Sequence, residues 1–281
     1  MAQATRSVRE AVRDHSLWYH TLELGDGVVT PGWFDLRPVV ERMPWPDVAG
    51  KRCLDIGTWD GFLAFELERR GAAEVVATDI SDPAGWDWAL RFRELGPEVM
   101  AAMAGEKTGT GFEIAKQALG SSAERVEINI YDLDPERVGS FDVVVCGSLL
   151  LHLRDPVRAL EAVRGVCRGM FLSAEQVNPR LSAIHRRLPV ASFAGGDRGQ
   201  WWVPNVAAHR RLVEAGGFAV ERATGAYAIP LGEGHPQRGR RRGLRGLAKA
   251  ILGGGRGLSH GAVLATPERF GPDQPESADD A

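Results

Sequence analysis

Hydrophobic and polar positions alternate with two different periods along the chain from about residue 50 onward. Short runs rich in Val, Ile, Leu and Ala predict strands, and longer patterned stretches between them predict helices. We predict strands at residues 51–57, 73–80, 125–131, 141–148, 169–175, 218–229 and 260–268. We predict helices at residues 61–70, 156–165 and 204–216, and a further pair within 84–119. Strands that alternate with helices in this way are typical of an α/β fold with a parallel sheet.

Local signals support these elements. The predicted strands are nearly continuous apolar runs, which suits a sheet that helices cover on both faces. Asp155, followed by Pro156, predicts the start of the helix at 156–165. Two glycines, Gly216 and Gly217, predict the end of the helix at 204–216.

The same pattern divides the chain into three parts. Residues 1–46 form an N-terminal substrate segment rich in aromatic residues and proline, and residues 47–270 form the main α/β domain. Residues 81–108 and 231–258 are insertions in that domain. Residues 271–281 are predicted to be a disordered acidic tail.

The composition is that of a globular protein with a substantial core. The chain has 281 residues, of which 44% are hydrophobic and 25% charged, and its net charge of −3 argues against general coating of nucleic acid. Cys53, Cys146 and Cys167 lie in apolar runs and are expected to be reduced, which fits a cytoplasmic location. No signal-peptide pattern and no apolar run of about 18 residues is apparent, so neither secretion nor a membrane span is expected.

The stretch CLDIGTWDG, residues 53–61, joins the first predicted strand to the first predicted helix. A glycine-rich turn in this place lets backbone N–H groups meet a ligand at the carboxyl edge of the sheet. The next strand ends at Asp79, some twenty residues beyond the turn, where an acid accepts hydrogen bonds from both hydroxyls of a ribose. The pattern therefore indicates a ligand that contains adenosine.

Trp59 distinguishes between two such ligands. A dinucleotide prefers G-x-G-x-x-G because its pyrophosphate needs the middle glycine, and Trp59 occupies that position. S-adenosylmethionine has no phosphate, so the pattern D-x-G-x-x-x-G is sufficient for it, and Asp55 can face its amine directly or through water. We therefore predict S-adenosylmethionine as the cofactor. An NAD-dependent oxidoreductase on the same kind of sheet is the disfavoured alternative.

At this point the motifs resemble those of the class I S-adenosylmethionine-dependent methyltransferases. LDIGTWDG is similar to their first motif, ATDI to their ribose-binding acid, INIYDLD to the loop whose acid meets adenine, and FDVVVCGSLLLHLRDP to their fourth-strand motif. The resemblance implies a Rossmann-like three-layer sandwich with a mostly parallel seven-stranded sheet and an antiparallel final hairpin. It also implies cofactor-binding residues, which are Asp55, Gly57, Trp59, Gly61, Asp79, Asp132 and Gly147, with Asp134 as an alternative to Asp132 and packing under the turn as an alternative role for Trp59.

Residues 18–70 and 141–230 are further similar to the bacterial tRNA wobble-uridine (mo5U34) methyltransferase and carboxymethyltransferase family. Members that transfer a carboxymethyl group use a tyrosine directly before the histidine of the fourth-strand motif to hold the extra carboxylate. This chain has Leu151 before His152. Burying a carboxylate without partners costs on the order of several kcal/mol, so ordinary S-adenosylmethionine is expected.

Methyl transfer from a sulfonium is an in-line displacement, so the protein mainly has to position the nucleophile. His152 is the candidate base for a hydroxyl acceptor, and a capping or packing role is its alternative. Other candidates for the acceptor side come from the N-terminal segment and from the end of the fifth strand: Tyr19, His20, Trp33, Asp35, Arg37 and Glu175. The alternative is that the N-terminal residues only attach that segment to the core. We predict no metal site.

The two insertions offer further surfaces. Trp86, Trp88 and Phe92 either roof the cofactor pocket or pack a helix on the core. The basic stretch 235–256 suits contact with an anionic surface, RNA or lipid, or is a solvated loop. The sequence thus predicts a methyltransferase that acts on an oxygen or nitrogen of a small molecule or a tRNA base. A non-catalytic protein that binds RNA or membrane and retains the fold is the remaining alternative.

Overall fold

The computed structural model describes residues 7–104, 109–197, 199–238 and 254–269. Its strands are β1 (Arg52–Ile56), β2 (Glu74–Asp79), β3 (Glu124–Glu127), β4 (Phe141–Gly147), β5 (Cys167–Gln176), β6 (Ala191–Asp197), β7 (Gln200–Pro204), β8 (Phe218–Ala223), β9 (Tyr227–Ile229) and β10 (Leu258–Pro267). Its α-helices are α1 (Val8–Asp14), α2 (Phe62–Arg69), α3 (Leu90–Arg93), α4 (Pro97–Ala104), α5 (Thr110–Leu119), α6 (Pro135–Val138), α7 (Pro156–Val166), α8 (Pro179–Ile184) and α9 (Val206–Ala215). Single turns of 3-10 helix occupy Val40–Arg42, Pro83–Gly85, Ile130–Asp132 and Leu150–His152.

The main sheet has the strand order β3-β2-β1-β4-β5-β10-β8, and β9 also pairs with β10. Strands β1 to β5 pair in parallel, whereas β10 is antiparallel to β5, β8 and β9. Leu54 of β1 lies between Val76 of β2 and Val144 of β4. This confirms the predicted α/β, Rossmann-like class. The strand order reverses between β1 and β4, and ligands of open α/β sheets bind at the carboxyl edge beside such a reversal.

Helices cover both faces of the sheet because neighbouring side chains of each strand point in opposite directions. In β4, Val143 and Val145 pack in a cluster with the N-terminal segment, α2 and α5. Val144 and Cys146 pack in a second cluster with α6, α7 and α9. Each such buried aliphatic side chain contributes about 1.5–3 kcal/mol of transfer free energy. The result is the three-layer sandwich that the resemblance implies.

The helix α7 illustrates why the local predictions succeed. The Asp155 side chain accepts a hydrogen bond from the backbone N–H of Arg158 at 3.1 Å, and Pro156 occupies the first turn. Ala159, Leu160, Val163 and Val166 are fully buried at helical spacing. These signals are local, so the sequence carries them without any tertiary context.

Several elements differ from the sequence prediction, which did not contain the short helices α1, α6 and α8. The predicted strand 218–229 is two strands, β8 and β9, so eight strands rather than seven join the described sheet. It divides where the hydroxyl of Thr224 accepts a hydrogen bond from the N–H of Ala262, before Gly225. The stretch 84–119 contains three helices, α3, α4 and α5, instead of two. The hairpin of β6 and β7 was not predicted, because its strands pair only with each other and lack a continuous apolar run.

The N-terminal segment is anchored to the domain. Trp18 is 2% exposed, and its indole N–H donates to the carbonyl of Val12 at 3.0 Å. Phe34 forms bridges with both His20 and Leu231. The segment therefore lies on the face of the sheet that also carries α2 and α5.

Some sequence predictions fall on other parts of the chain. The predicted acidic tail and residues 239–253 of the basic insertion lie outside the described residues. The three cysteines are buried and form no disulfide, as expected. Among the described helices, none combines the length and hydropathy that crossing a bilayer requires.

Candidate active site

The glycine turn between β1 and α2 has an unusual backbone. Gly57, Trp59 and Gly61 have φ angles of 73°, 48° and 90°, in the left-handed region that glycine adopts freely and tryptophan adopts at a cost. A Cβ atom at Gly61 would lie 2.5 Å from the ring of Phe65. The absent side chain at Gly61 thus makes room for packing of the following helix, whereas the prediction attributed it to approach of a ligand.

The Asp79 carboxylate at the end of β2 faces this turn. Its Oδ2 accepts a hydrogen bond from the backbone N–H of Trp59 at 2.8 Å, and its Oδ1 accepts one from the N–H of Ile80 at 2.8 Å. Burial raises the pKa of Asp79. The topology therefore brings together the two features that the sequence placed some twenty residues apart.

Asp55 is the second acid beside the turn. It is 1% exposed, and its Oδ2 accepts a hydrogen bond from the hydroxyl of Thr58 at 2.7 Å. Burial raises its pKa to about 7. A cation held next to this carboxylate would favour its ionised form.

Asp60 is a site residue that the sequence prediction missed. Its Oδ2 accepts hydrogen bonds from the backbone N–H groups of Tyr19 at 2.5 Å and His20 at 2.9 Å. Burial raises the pKa of Asp60 to about 7, and these two hydrogen bonds oppose the rise. The only sequence signal for this contact is the acid directly after Trp59. No local pattern indicates that its hydrogen-bond donors are Tyr19 and His20.

A cavity of about 120 Å³, open to solvent, lies at this edge of the sheet. One group of lining residues comes from the glycine turn and the end of β4, including Asp55, Gly57, Gly147 and Ser148. A second group is apolar and comes from the N-terminal segment and the last strands: Leu36, Val39, Val40, Met43, Ile229 and Leu258.

His152 lines the cavity just beyond the end of β4. Its Nδ1 lies 2.7 Å from the carbonyl oxygen of Gly199, in the hairpin of β6 and β7. A carbonyl only accepts, so Nδ1 carries the proton and Nε2 is the unprotonated nitrogen. Burial lowers the pKa of His152, which keeps the ring neutral.

Ser148 and His260 form a second polar pair in the lining. The Nδ1 of His260 donates to the carbonyl of Leu258 at 2.9 Å, so its Nε2 accepts from the hydroxyl of Ser148 at 2.9 Å. Burial lowers the pKa of His260 to about 4, and Ser148 has a left-handed φ of 52°. The lone pairs of the Ser148 hydroxyl therefore remain as acceptors. No sequence signal links these residues, which are 112 positions apart.

Glu175 supports the site from behind its lining. It is 1% exposed, and its Oε1 accepts hydrogen bonds from the backbone N–H groups of Leu149 and Leu150, each at 3.0 Å. Its Oε2 has no hydrogen-bond partner, and burial raises the pKa of Glu175 to about 7. Glu175 thereby fixes the turn that precedes His152.

The other predicted residues are distributed unevenly. Tyr19 and His20 line the cavity, and the Nδ1 of His20 is buried without a partner. Arg37 instead makes ion pairs with Asp35 at 2.8 Å and Glu23 at 2.6 Å, outside the lining. These two carboxylates hold the guanidinium of Arg37 away from the cavity.

Five further aromatic or acidic candidates lie outside the cavity lining. Trp33 contacts His235 and is not part of the lining. Asp132 is exposed, in the 3-10 turn after β3. The ring of Trp59 contacts both Tyr19, at a centroid distance of 4.9 Å, and Trp86 at 5.9 Å. Trp86 thus stacks beside the turn, whereas Trp88 is buried and donates its indole N–H to the carbonyl of Pro83.

Comparison with known proteins agrees with this geometry. The profile of the family described as a methyltransferase domain matches residues 54–170, which contain the glycine turn, Asp79 and His152. The chain is 25% identical over 223 residues to the ubiquinone biosynthesis O-methyltransferase of Acinetobacter baumannii strain AYE, which covers 71% of this chain and 82% of that protein. It is 27% identical over 136 residues to the enzyme of the same name from Marinobacter nauticus, covering 47% of this chain and 48% of that protein, so this match spans about half the length of the relative.

A solved structure with a similar fold is the 1,6-didemethyltoxoflavin-N1-methyltransferase of Burkholderia thailandensis, with bound 1,6-didemethyltoxoflavin and S-adenosylhomocysteine. The TM-score is 0.50 at 14% identity, and the match covers 83% of this chain and 78% of that one. Residues 54–170 thus match a methyltransferase domain, and the fold is similar to that of a solved methyltransferase. The chain is an S-adenosylmethionine-dependent methyltransferase, and S-adenosylmethionine is its cofactor.

Proposed function

We propose that this enzyme transfers a methyl group to a hydroxyl oxygen of a small, largely apolar acceptor and that His152 is its general base. The hydrogen bond from His152 Nδ1 to Gly199 carries the proposal, because it leaves a neutral imidazole with an unprotonated Nε2 in the cavity lining. A base in that state takes the proton of a hydroxyl as its oxygen becomes a nucleophile. The names of the curated relatives, which are O-methyltransferases, support transfer to oxygen.

The residues at the turn fit the cofactor. S-adenosylmethionine supplies a methyl group on a positively charged sulfonium. Asp79, which is half-buried, is assigned to the ribose hydroxyls and Asp55, which is 1% exposed, to the amine, since both carboxylates lie beside the turn. Asp55, Gly57 and Gly147 line the same cavity. The predicted contact of Asp132 with adenine and that of Trp59 with the cofactor remain predictions.

The lining also bears on the form of the transferred group and of the acceptor. Leu151 is 2% exposed and lines the cavity at the position where a carboxymethyl-transferring relative has tyrosine. Among the described lining residues there is no Arg or Lys to pair an extra carboxylate. This favours ordinary methyl transfer and an uncharged acceptor whose apolar part lies against Leu36, Val39 and Met43.

A tRNA base is the other acceptor that the sequence suggests. The resemblance of residues 18–40 and 147–156 to the wobble-uridine family supports it, as does the basic stretch 235–256. Most of that stretch lies outside the described residues, so an RNA or lipid contact there remains a prediction. The small-molecule acceptor is preferred because the acceptor side of the cavity is apolar.

The test is incubation with radiolabelled S-adenosylmethionine and separate panels of phenols, aliphatic alcohols and tRNA. We expect label in a hydroxyl compound and a loss of kcat of about 100-fold or more in His152→Ala. S-adenosylhomocysteine binding, measured by calorimetry, should be unchanged in that variant. His185→Ala is the control because His185 is a histidine outside the cavity lining. Label only in tRNA, or full activity of His152→Ala, would contradict the proposal.

A further inference from the structure

Large apolar side chains are exposed on the segment that leads into the β6–β7 hairpin. Ile184 is 72% exposed, Leu188 58%, Phe193 63% and Trp202 38%. We call these four residues, together with Arg180, Arg186 and Arg187, the hairpin surface. Exposed apolar side chains that are contiguous in space, as the rings of Phe193 and Trp202 are, mark an interaction site more often than scattered ones do.

The hairpin surface is held in a fixed shape. Phe193 and Trp202 are cross-strand neighbours, and their rings lie 4.7 Å apart. The side chain of Asn205 donates to the carbonyls of His185 at 2.7 Å and Leu188 at 2.9 Å, and it accepts from the N–H of Val190. Asn205 is itself fully buried. The apolar side chains are therefore presented outward by an ordered backbone.

The charge of this surface has one sign. Residues 177–196 include Arg180, Arg186 and Arg187 and contain no Asp or Glu, and Asp197 at the end of β6 lies 3.9 Å from Arg91, which opposes its charge. The three arginines are exposed, and none forms an ion pair within the described part of the chain. A basic surface with interspersed Ile, Leu, Phe and Trp matches the interface of an anionic bilayer, where aromatic rings sit at headgroup depth and arginines meet lipid phosphates.

We propose that the hairpin surface docks the enzyme on an anionic lipid bilayer. Ile184, Leu188, Phe193 and Trp202 enter the headgroup region, and the arginines attract the anionic headgroups. An RNA partner would use the arginines but would leave Ile184 and Leu188 in water, so the bilayer fits the observations better. This surface is distinct from the basic stretch 235–256.

Docking would also orient the cavity. Gly199, the hairpin residue whose carbonyl accepts from His152, and Gln200, which lines the cavity, belong to the same hairpin as Phe193 and Trp202. A bilayer in contact with the outer side of the hairpin would lie next to the cavity on its inner side. The docking itself does not depend on which acceptor the cavity binds.

The experiment is flotation of the full-length protein with vesicles of phosphatidylcholine alone and of phosphatidylcholine with 30% phosphatidylglycerol. We expect binding to the anionic vesicles, at least tenfold weaker binding to the neutral ones, and weakening in high salt. Two double variants, Ile184→Glu/Leu188→Glu and Arg186→Glu/Arg187→Glu, should each reduce the partition coefficient at least tenfold. Val29→Glu/Leu119→Glu is the matched control, because these residues are 45% and 41% exposed and lie outside the hairpin surface.

A second measurement tests whether Trp202 enters the bilayer. Brominated lipids should quench tryptophan fluorescence in the wild type, and Trp202→Phe should remove much of that quenching. Calorimetry with S-adenosylhomocysteine verifies that every variant is folded. The proposal is overturned if the wild type does not bind anionic vesicles, or if the hairpin variants bind as well as the control. It is also overturned if those variants instead abolish self-association or tRNA binding while vesicle binding stays unchanged.

Discussion

The Asp60 carboxylate lies 2.9 Å from the backbone nitrogen of His20 and accepts its hydrogen bond, although 40 positions separate the two residues. The same oxygen accepts from the N–H of Tyr19. Asp60 ends the glycine turn, and both partners line the cavity. This one carboxylate therefore joins the glycine turn to the N-terminal segment.

Replacement of Asp60 should release the N-terminal segment. Asp60→Ala leaves two buried N–H groups without an acceptor, and we expect a loss of about 2–4 kcal/mol in the free energy of unfolding. Asp60→Asn keeps one oxygen acceptor and should lose less. Urea unfolding measures the stability, and limited proteolysis reports whether cleavage before residue 46 becomes faster. Equal stability of the alanine variant and the wild type would refute the role of this contact.

Asp79 should be required for cofactor affinity. If it accepts from the ribose hydroxyls, Asp79→Ala should weaken S-adenosylhomocysteine binding about 10- to 100-fold, since hydrogen bonds to a charged acceptor contribute about 1.5–3 kcal/mol. Calorimetry gives the dissociation constants directly. Asp47→Ala is the control, because that carboxylate accepts from the N–H of Ala49 and lies outside the cavity lining. An unchanged affinity in Asp79→Ala would contradict the assignment of Asp79 to the ribose hydroxyls.

Alanine substitutions at Gly61 and Gly50 distinguish the cost of overpacking from the cost of backbone strain. Both have left-handed φ angles, of 90° and 68°, but a Cβ atom at Gly61 meets Phe65 at 2.5 Å whereas one at Gly50 meets nothing within 4 Å. We expect Gly50→Ala to cost about 1 kcal/mol and Gly61→Ala about 2–4 kcal/mol, from strain plus overpacking. Chemical denaturation of the two variants checks the difference. Equal costs would show that the rings of Phe65 and Phe112 yield without penalty.

Glu175 should make the enzyme less stable as the pH rises. Its pKa is about 7 in the folded protein against an ordinary 4.5, so the folded state holds the proton more tightly than the unfolded state between those values. Its contribution is therefore fully present below pH 4.5 and is lost as the pH rises through 7. In Glu175→Gln, the fall in unfolding free energy between pH 5.5 and 8.5 should be smaller by roughly 2 kcal/mol. Glu161→Gln, an exposed change in α7, should leave the fall as in the wild type.

Much of the fold followed from the sequence because its signals are local. The apolar runs marked every strand of the main sheet, and Asp155 with Pro156 marked the start of α7. The hairpin of β6 and β7 escaped prediction because its residues are half exposed and its glycines interrupt the apolar pattern. Because the hairpin was not predicted, the sequence did not indicate Gly199 as the hydrogen-bond partner of His152.

The sequence by itself determined the strands of the main sheet, the glycine turn and the acid at the end of β2, because periodicity and turn chemistry act over short distances along the chain. Only the tertiary structure decided which polar groups meet across long separations. It placed three pairs within hydrogen-bond distance: Asp60 with His20, Gly199 with His152, and Arg37 with Glu23. A hydrogen bond depends on the position of both partners in space, and no local pattern of residues encodes the second partner.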